Sequence, residues 1–231
     1  MAVPRYSDRV VPAHGEADAP VMLVNEAPGP DEDRAGIPCV GRQGGVIYRE
    51  ARESGWPWAL GAPAFSWPIL DDAKGDPDYA ARLDAKARFL ALRARHVCVT
   101  NAFDRWPRPE GGDKAFCEPA AEEVLSGANL ARMRGEATPA RRVLLVCGRL
   151  AWLACTGEAI ERPAARENDR LSAGELATIN ERLAARFTHA WYMGHTRRWS
   201  AHLGETRAVL REVAAAAGWT AAGGARKASG R

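Results

Sequence analysis

Four short apolar runs divide the chain, each separated from the next by enough residues for at least one helix. Residues 21–24 (Val-Met-Leu-Val), 96–100 (His-Val-Cys-Val-Thr), 142–147 (Arg-Val-Leu-Leu-Val-Cys) and 188–193 (Thr-His-Ala-Trp-Tyr-Met) have the length and composition of buried strands. Between them the pattern changes to a helical period. Residues 44–54 place Val46, Ile47 and Ala51 on one face, and residues 79–95 do the same with Leu83, Ala87, Leu90 and Ala94. Further helices are predicted over 115–133, from Gly148 through Ala154, from Ser172 with Glu175 at capping-box spacing, and over 200–217. Strands that alternate with helices predict an α/β fold: a three-layer α/β/α sandwich with a central four-stranded, mainly parallel sheet.

The same pattern sets the organisation. Residues 1–19 read as an arm or irregular lead-in, 20–218 as a single domain, and 219–231 as a small, basic, frayed tail. Residues 55–78 fit neither period. Trp56, Pro57, Trp58, Pro63, Phe65, Trp67 and Pro68 fall there among glycines, which predicts an ordered, aromatic-rich insertion. Each tryptophan reads as core filler or as a platform for a stacked base.

At 231 residues, 46% hydrophobic and 26% charged, the chain can bury a core without staples. It carries no long apolar run and no secretory signal, so a cytoplasmic protein with no membrane partner is expected. Five scattered cysteines without a C-x-x-C pair argue against a disulfide framework and a thiolate metal site. A net charge of +3 does not by itself indicate nucleic acid. The basic residues are mostly arginines, which suit bidentate phosphate contacts, although genomic base composition also raises arginine.

Chemistry concentrates where the predicted strands end. Glu26 follows the first, Asn101 the second and His195 the fourth, while the third ends in Cys147-Gly148-Arg149, a sequence suited to close packing at a helix start. The strand ends of a parallel sheet converge on one edge, so a carboxylate, an amide and an imidazole would share a crevice. Taken singly, they also read as a surface acid, a turn former and a loop histidine. After Glu26, two prolines and a glycine stop both strand and helix, and an acidic cluster, Asp31-Glu32-Asp33, follows.

NEAPGPDEDRAGIPCVGRQGG resembles the first motif of the uracil-DNA glycosylase superfamily, closest to family-four enzymes with a pattern near GEAPGxxEDxxGxPFVGxAG. VTNAFDRWPRP is similar to that family's TNxxxCxPP segment, VCGRLAW to its LGxxA segment, and YMGHTRRWS falls at its H-P-S motif. The resemblance runs from about residue 21 to residue 210 and is strongest in the first motif. It implies a hydrolase that flips a non-canonical base out of DNA and cleaves its N-glycosidic bond. Asn101 would read the base edge, and Asn25, Ala27, Pro28, Gly29 and Cys39 would complete the base site. His195 would donate to the leaving base. An acid of the first motif would position water, with Glu26 the first choice and Asp31 or Glu32 its rivals. Arg42, Arg197, Arg198 and Trp199 would contact DNA.

The departures from the pattern are specific. Family-four enzymes hold an iron–sulfur cluster on four cysteines; here Arg105 stands at one of those positions and only Cys117 matches, so no cofactor is expected. Cys39 replaces the phenylalanine that stacks on uracil, which is expected to open the pocket floor, and Asn25 replaces a glycine. These changes point to a bulky modified pyrimidine, such as hydroxymethylated or glucosylated cytosine of phage DNA, excised as a defence activity. The alternatives are a uracil-DNA glycosylase of base excision repair, or a catalytically silent relative that binds lesions. A small-nucleotide hydrolase is a further option. The expected partner is DNA carrying such a base, and the expected state is a monomer.

Overall fold

In the computed structural model of the chain, residues 6–60, 79–107, 118–160, 168–194 and 202–219 are described. The elements in order are β1 (Tyr6–Val10), β2 (Val21–Asn25), α1 (Pro30–Ala35), α2 (Arg42–Glu53), α3 (Pro57–Leu60), α4 (Tyr79–His96), β3 (Val97–Asn101) and β4 (Arg105–Pro107). They continue with α5 (Ala121–Val124), α6 (Gly127–Glu136), β5 (Val143–Cys147), α7 (Arg149–Thr156), β6 (Asp169–Arg170), α8 (Ala173–Leu183), β7 (His189–Met193) and α9 (Leu203–Ala216).

The predicted α/β class holds, with helices covering both faces of a mainly parallel sheet. Its strand order is β3-β2-β5-β7-β6, and the first four are mutually parallel. Every residue of β2, β3 and β5 is buried, the expected result for strands covered on both sides. Alternation then sorts the side chains. Val21, Leu23, Val99 and Leu145 face a core with Ile47 of α2, Trp58 of α3, Phe89 of α4 and Leu210 of α9. Met22, Val24, Leu144 and Val146 face the opposite core with Met133 of α6, Leu150 of α7 and Ile179 of α8.

Several expectations are corrected. The sheet has five strands, because the two exposed residues of β6 pair antiparallel with β7 through backbone bonds that leave no hydrophobic signature. The lead-in is partly regular: β1 pairs with β4 as a separate two-stranded sheet, and His14 bridges Val99. The expected helix over 115–133 is two helices among the described residues, since Ser126 caps α6 by accepting from the Asn129 amide. The acidic cluster is helical, with Pro30 opening α1, the acids in its first turn and left-handed Gly36 closing it. On α4 the buried residues are Lys86, Phe89 and Arg93; of the expected stripe, Ala87 is exposed, Leu90 and Ala94 are half-buried with Leu90 packed against the core, and the side chain of Leu83 lies outside what is described.

Trp56 and Trp58 are core residues, at 0% and 1% exposure. The Trp56 indole donates to the Leu210 carbonyl at 2.7 Å, tying the start of the aromatic segment to α9. Residues 61–78, with Trp67, lie outside the described residues. Among the described residues no helix is long and apolar enough to cross a membrane. Trp56→Ala is expected to cost about 3–5 kcal/mol of unfolding free energy, read by urea denaturation. A cost below about 1 kcal/mol would show that the segment is not anchored through this ring.

Candidate functional site

The parallel register brings the ends of β2 and β3 side by side: Asn25 is the register partner of Asn101. The two segments stay joined past the sheet, the Ala102 amide donating to Asn25 O at 2.7 Å and the Phe103 amide to Glu26 O at 3.0 Å. Glu26 therefore leaves the sheet on a fixed backbone. Its carboxylate turns toward α7, where Oε1 accepts the Leu150 amide at 3.2 Å. The first amides of a helix lack partners inside the helix and lie at its positive end, so an anion is favoured there. Gly148 makes this seat possible. It has φ +94°, and a Cβ at this position would lie 2.5 Å from both Cδ and Oε1 of Glu26. Its amide donates to Met193 O at 2.9 Å, which ties the seat to the end of β7 as well.

Asn101 is 1% exposed, and among the described residues neither Oδ1 nor Nδ2 has a hydrogen-bond partner. A buried amide left unsatisfied costs about 1–3 kcal/mol per group. Such a group calls for a specific explanation, and a ligand that supplies the missing bonds is one. The described chain reaches Gly194 just after β7, on the same sheet edge. His195, Arg197, Arg198 and Trp199 lie outside the described residues.

A brace of buried polar groups shapes the loop between Glu26 and α2. Glu32 Oε2 accepts the Gly29 amide at 2.6 Å, and Glu32 Oε1 accepts the Cys39 amide, so one carboxyl joins both ends of the loop. Burial pushes this carboxyl up to about 7, against the pull of those two amides and of Arg93. Cys39 holds the left-handed φ of +60°, a strained conformation for a residue with a side chain. The Tyr48 hydroxyl donates to its carbonyl at 2.6 Å. Gly44 lets α2 pass beneath, since a Cβ there would lie 2.2 Å from Cys39 O. Arg93, fully buried, donates to Pro38 O at 3.1 Å and to the Tyr48 hydroxyl. Its other Nη lies 2.8 Å from Nδ1 of His14. Burial, then the Arg93 charge, lowers His14 to about 4, so its neutral ring accepts from the guanidinium.

The rival acids separate by this geometry. Glu32 is occupied by the loop ends. Asp31 sits in the first turn of α1, alongside Gly41 and 3.8 Å from Arg34. Glu26 is the acid at a strand end. Pro28 is buried, while Ala27 and Gly29 are half-buried beside it. Arg42 opens α2, and its side chain lies outside what is described. Cys39 is 1% exposed and lies in the core cluster with Tyr48 and Trp58. Burial and the nearby Glu32 raise its thiol to about 11, and the Asn25 side chain hydrogen-bonds it.

A cavity of about 930 Å³ opens elsewhere, between α1 and the β1/β4 sheet, lined by Arg9, Arg34, Asp33 and Trp106 among others. It contains none of the expected base-binding residues. Among the described residues no group of three or more histidines, cysteines and acids could hold a metal ion.

Sequence reasoning placed Glu26 and Asn101 at strand ends, where they lie, but missed the residues that hold those ends. Arg132 and Asn129 of α6 bond the carbonyls at the end of β3, and backbone partners leave no sequence signal. Arg93 and Tyr48 read as ordinary helix residues. No protein-family model matches the chain, and no curated protein matches it.

The folded state holds the Glu32 proton more tightly than an unfolded chain does. Its contribution to stability is therefore complete below about pH 4.5 and is lost as pH rises through about 7. Glu32→Gln is expected to flatten that part of the stability–pH curve in chemical denaturation. An unchanged slope would show that Glu32 is already ionised throughout the interval.

Proposed function

We propose that this chain is a DNA glycosylase that hydrolyses the N-glycosidic bond of a flipped, non-canonical pyrimidine. One observation carries the proposal: the Glu26 carboxylate is fixed at the start of α7, one strand from the buried amide of Asn101, which has no partner among the described residues. A base extruded from the stack could supply the donor and acceptor that this amide lacks, with its sugar toward the carboxylate. As the bond breaks heterolytically, its electron pair leaves with the base and positive charge grows on the sugar. Glu26 then acts as preorganised negative charge beside that cation and as an acceptor that orients water. Water adds to the anomeric carbon, and the proton it releases balances the departing base anion. The resemblance places His195 as the donor to that anion. The DNA partner rests on the same resemblance.

The base is either compact, such as uracil, or bulky, such as a hydroxymethylated or glucosylated cytosine. The two are separated by mass spectrometry of bases released from oligonucleotides carrying uracil and from DNA carrying hydroxymethylated or glucosylated cytosine. Release of one non-canonical base is expected. Glu26→Gln should reduce release roughly 10²–10³-fold while DNA binding is retained. DNA binding with no release from any of these substrates would overturn catalysis in favour of a silent lesion-binding protein.

A further inference from the structure

Among the described residues the side chain of Asn101 has no hydrogen-bond partner, so its direction depends on packing and on the backbone that carries it. That backbone is paired with β2 on one side and is held by α6 on the other. Arg132 Nη2 donates to Asn101 O at 2.8 Å and to Asn129 Oδ1 at 2.8 Å, and Nη1 donates to Thr100 Oγ1 at 3.0 Å. Asn129, three residues earlier on the same face, donates to Ala102 O at 2.7 Å. The residues before, at and after the end of β3 are thus tied to α6 in succession.

The guanidinium is itself oriented. Glu136 accepts from Nη1 at 2.8 Å, and its second oxygen accepts from the Thr100 hydroxyl at 2.8 Å. Asp104 lies 3.7 Å from Nε. These groups are largely shielded from water, where charge-assisted bonds with fixed fork geometry specify direction well. A lysine offers one point charge and cannot span Asn101 O, Thr100 Oγ1 and Asn129 Oδ1 in this way.

We infer that Arg132 is a positioning residue that sets the direction of the Asn101 amide and, through it, the selectivity of the site among bases. The selectivity part rests on the glycosylase proposal; the positioning part does not. A base read by a buried amide is discriminated through bond geometry, and small displacements of such a group carry large penalties.

The test uses the full chain and Arg132→Lys, which keeps a cation facing Glu136. In a proton–nitrogen correlation spectrum, the Asn101 side-chain amide pair is identified by its loss in Asn101→Ala. The wild-type protein is expected to show one sharp pair, and Arg132→Lys a shifted, broadened or doubled one. An unchanged pair in folded Arg132→Lys would overturn the positioning role. Thr100→Val, which keeps shape while removing one acceptor of Arg132, gives the same test if Arg132→Lys does not fold. The second readout is the ratio of release rates between the best-released base and the next, over the oligonucleotides named above. Arg132→Lys is expected to lower that ratio by about ten-fold or more, and an unchanged ratio would overturn the selectivity role. A wild-type protein that releases no base would contradict the glycosylase proposal, and the amide pair would still decide the positioning role.

Discussion

The contact between Glu26 and Gly148 is the constraint on which the site depends. A carboxylate leaving β2 can reach the first amides of α7 only if nothing projects from residue 148, and any Cβ there would overlap it. Since β2 and β5 are neighbours in the sheet, the parallel packing that buries both strands also brings acid and helix together. The amide of Gly148 fastens the same point to β7. Three strand ends therefore meet at one carboxylate, and its position follows from the fold rather than from a mobile loop. Preorganisation of this kind lets a charge act on a transition state without first being reoriented.

The rest of the first motif serves the same rigidity through buried polar groups. Glu32 draws Gly29 and Cys39 together, while Arg93, Tyr48 and His14 form a chain of contacts behind them. Burying a carboxyl and a guanidinium is costly, and it is tolerated when their hydrogen-bonding capacity is largely met. This brace holds Cys39 in a left-handed conformation that it would not adopt in isolation. It also explains why α4 buries Arg93.

The sequence made legible what burial alone dictates. Val21–Asn25, Val97–Asn101 and Val143–Cys147 are buried on both faces, so they stand out as apolar runs, and their ends pointed to Glu26 and Asn101. It concealed whatever depends on backbone pairing or on polar groups turned inward. Asp169–Arg170 is a strand only through its bonds to β7, and Tyr6–Val10 is polar and largely exposed. Arg132 looks like a solvated helix residue until its carbonyl partners are seen. Nor did the sequence show that Cys39 takes a positive φ and lies in the core.

The claim that the site is built around the Glu26–Gly148 contact is tested most directly by a double-mutant cycle in stability. Gly148→Ala is measured in the wild-type chain and in Glu26→Ala, where removal of the carboxylate leaves room for the new methyl. The account predicts a large loss in the wild-type background and a loss smaller by at least about 1 kcal/mol in Glu26→Ala, with backbone strain at φ +94° common to both. Costs that add within about 0.5 kcal/mol would contradict it, because residues that do not share a contact behave in that way.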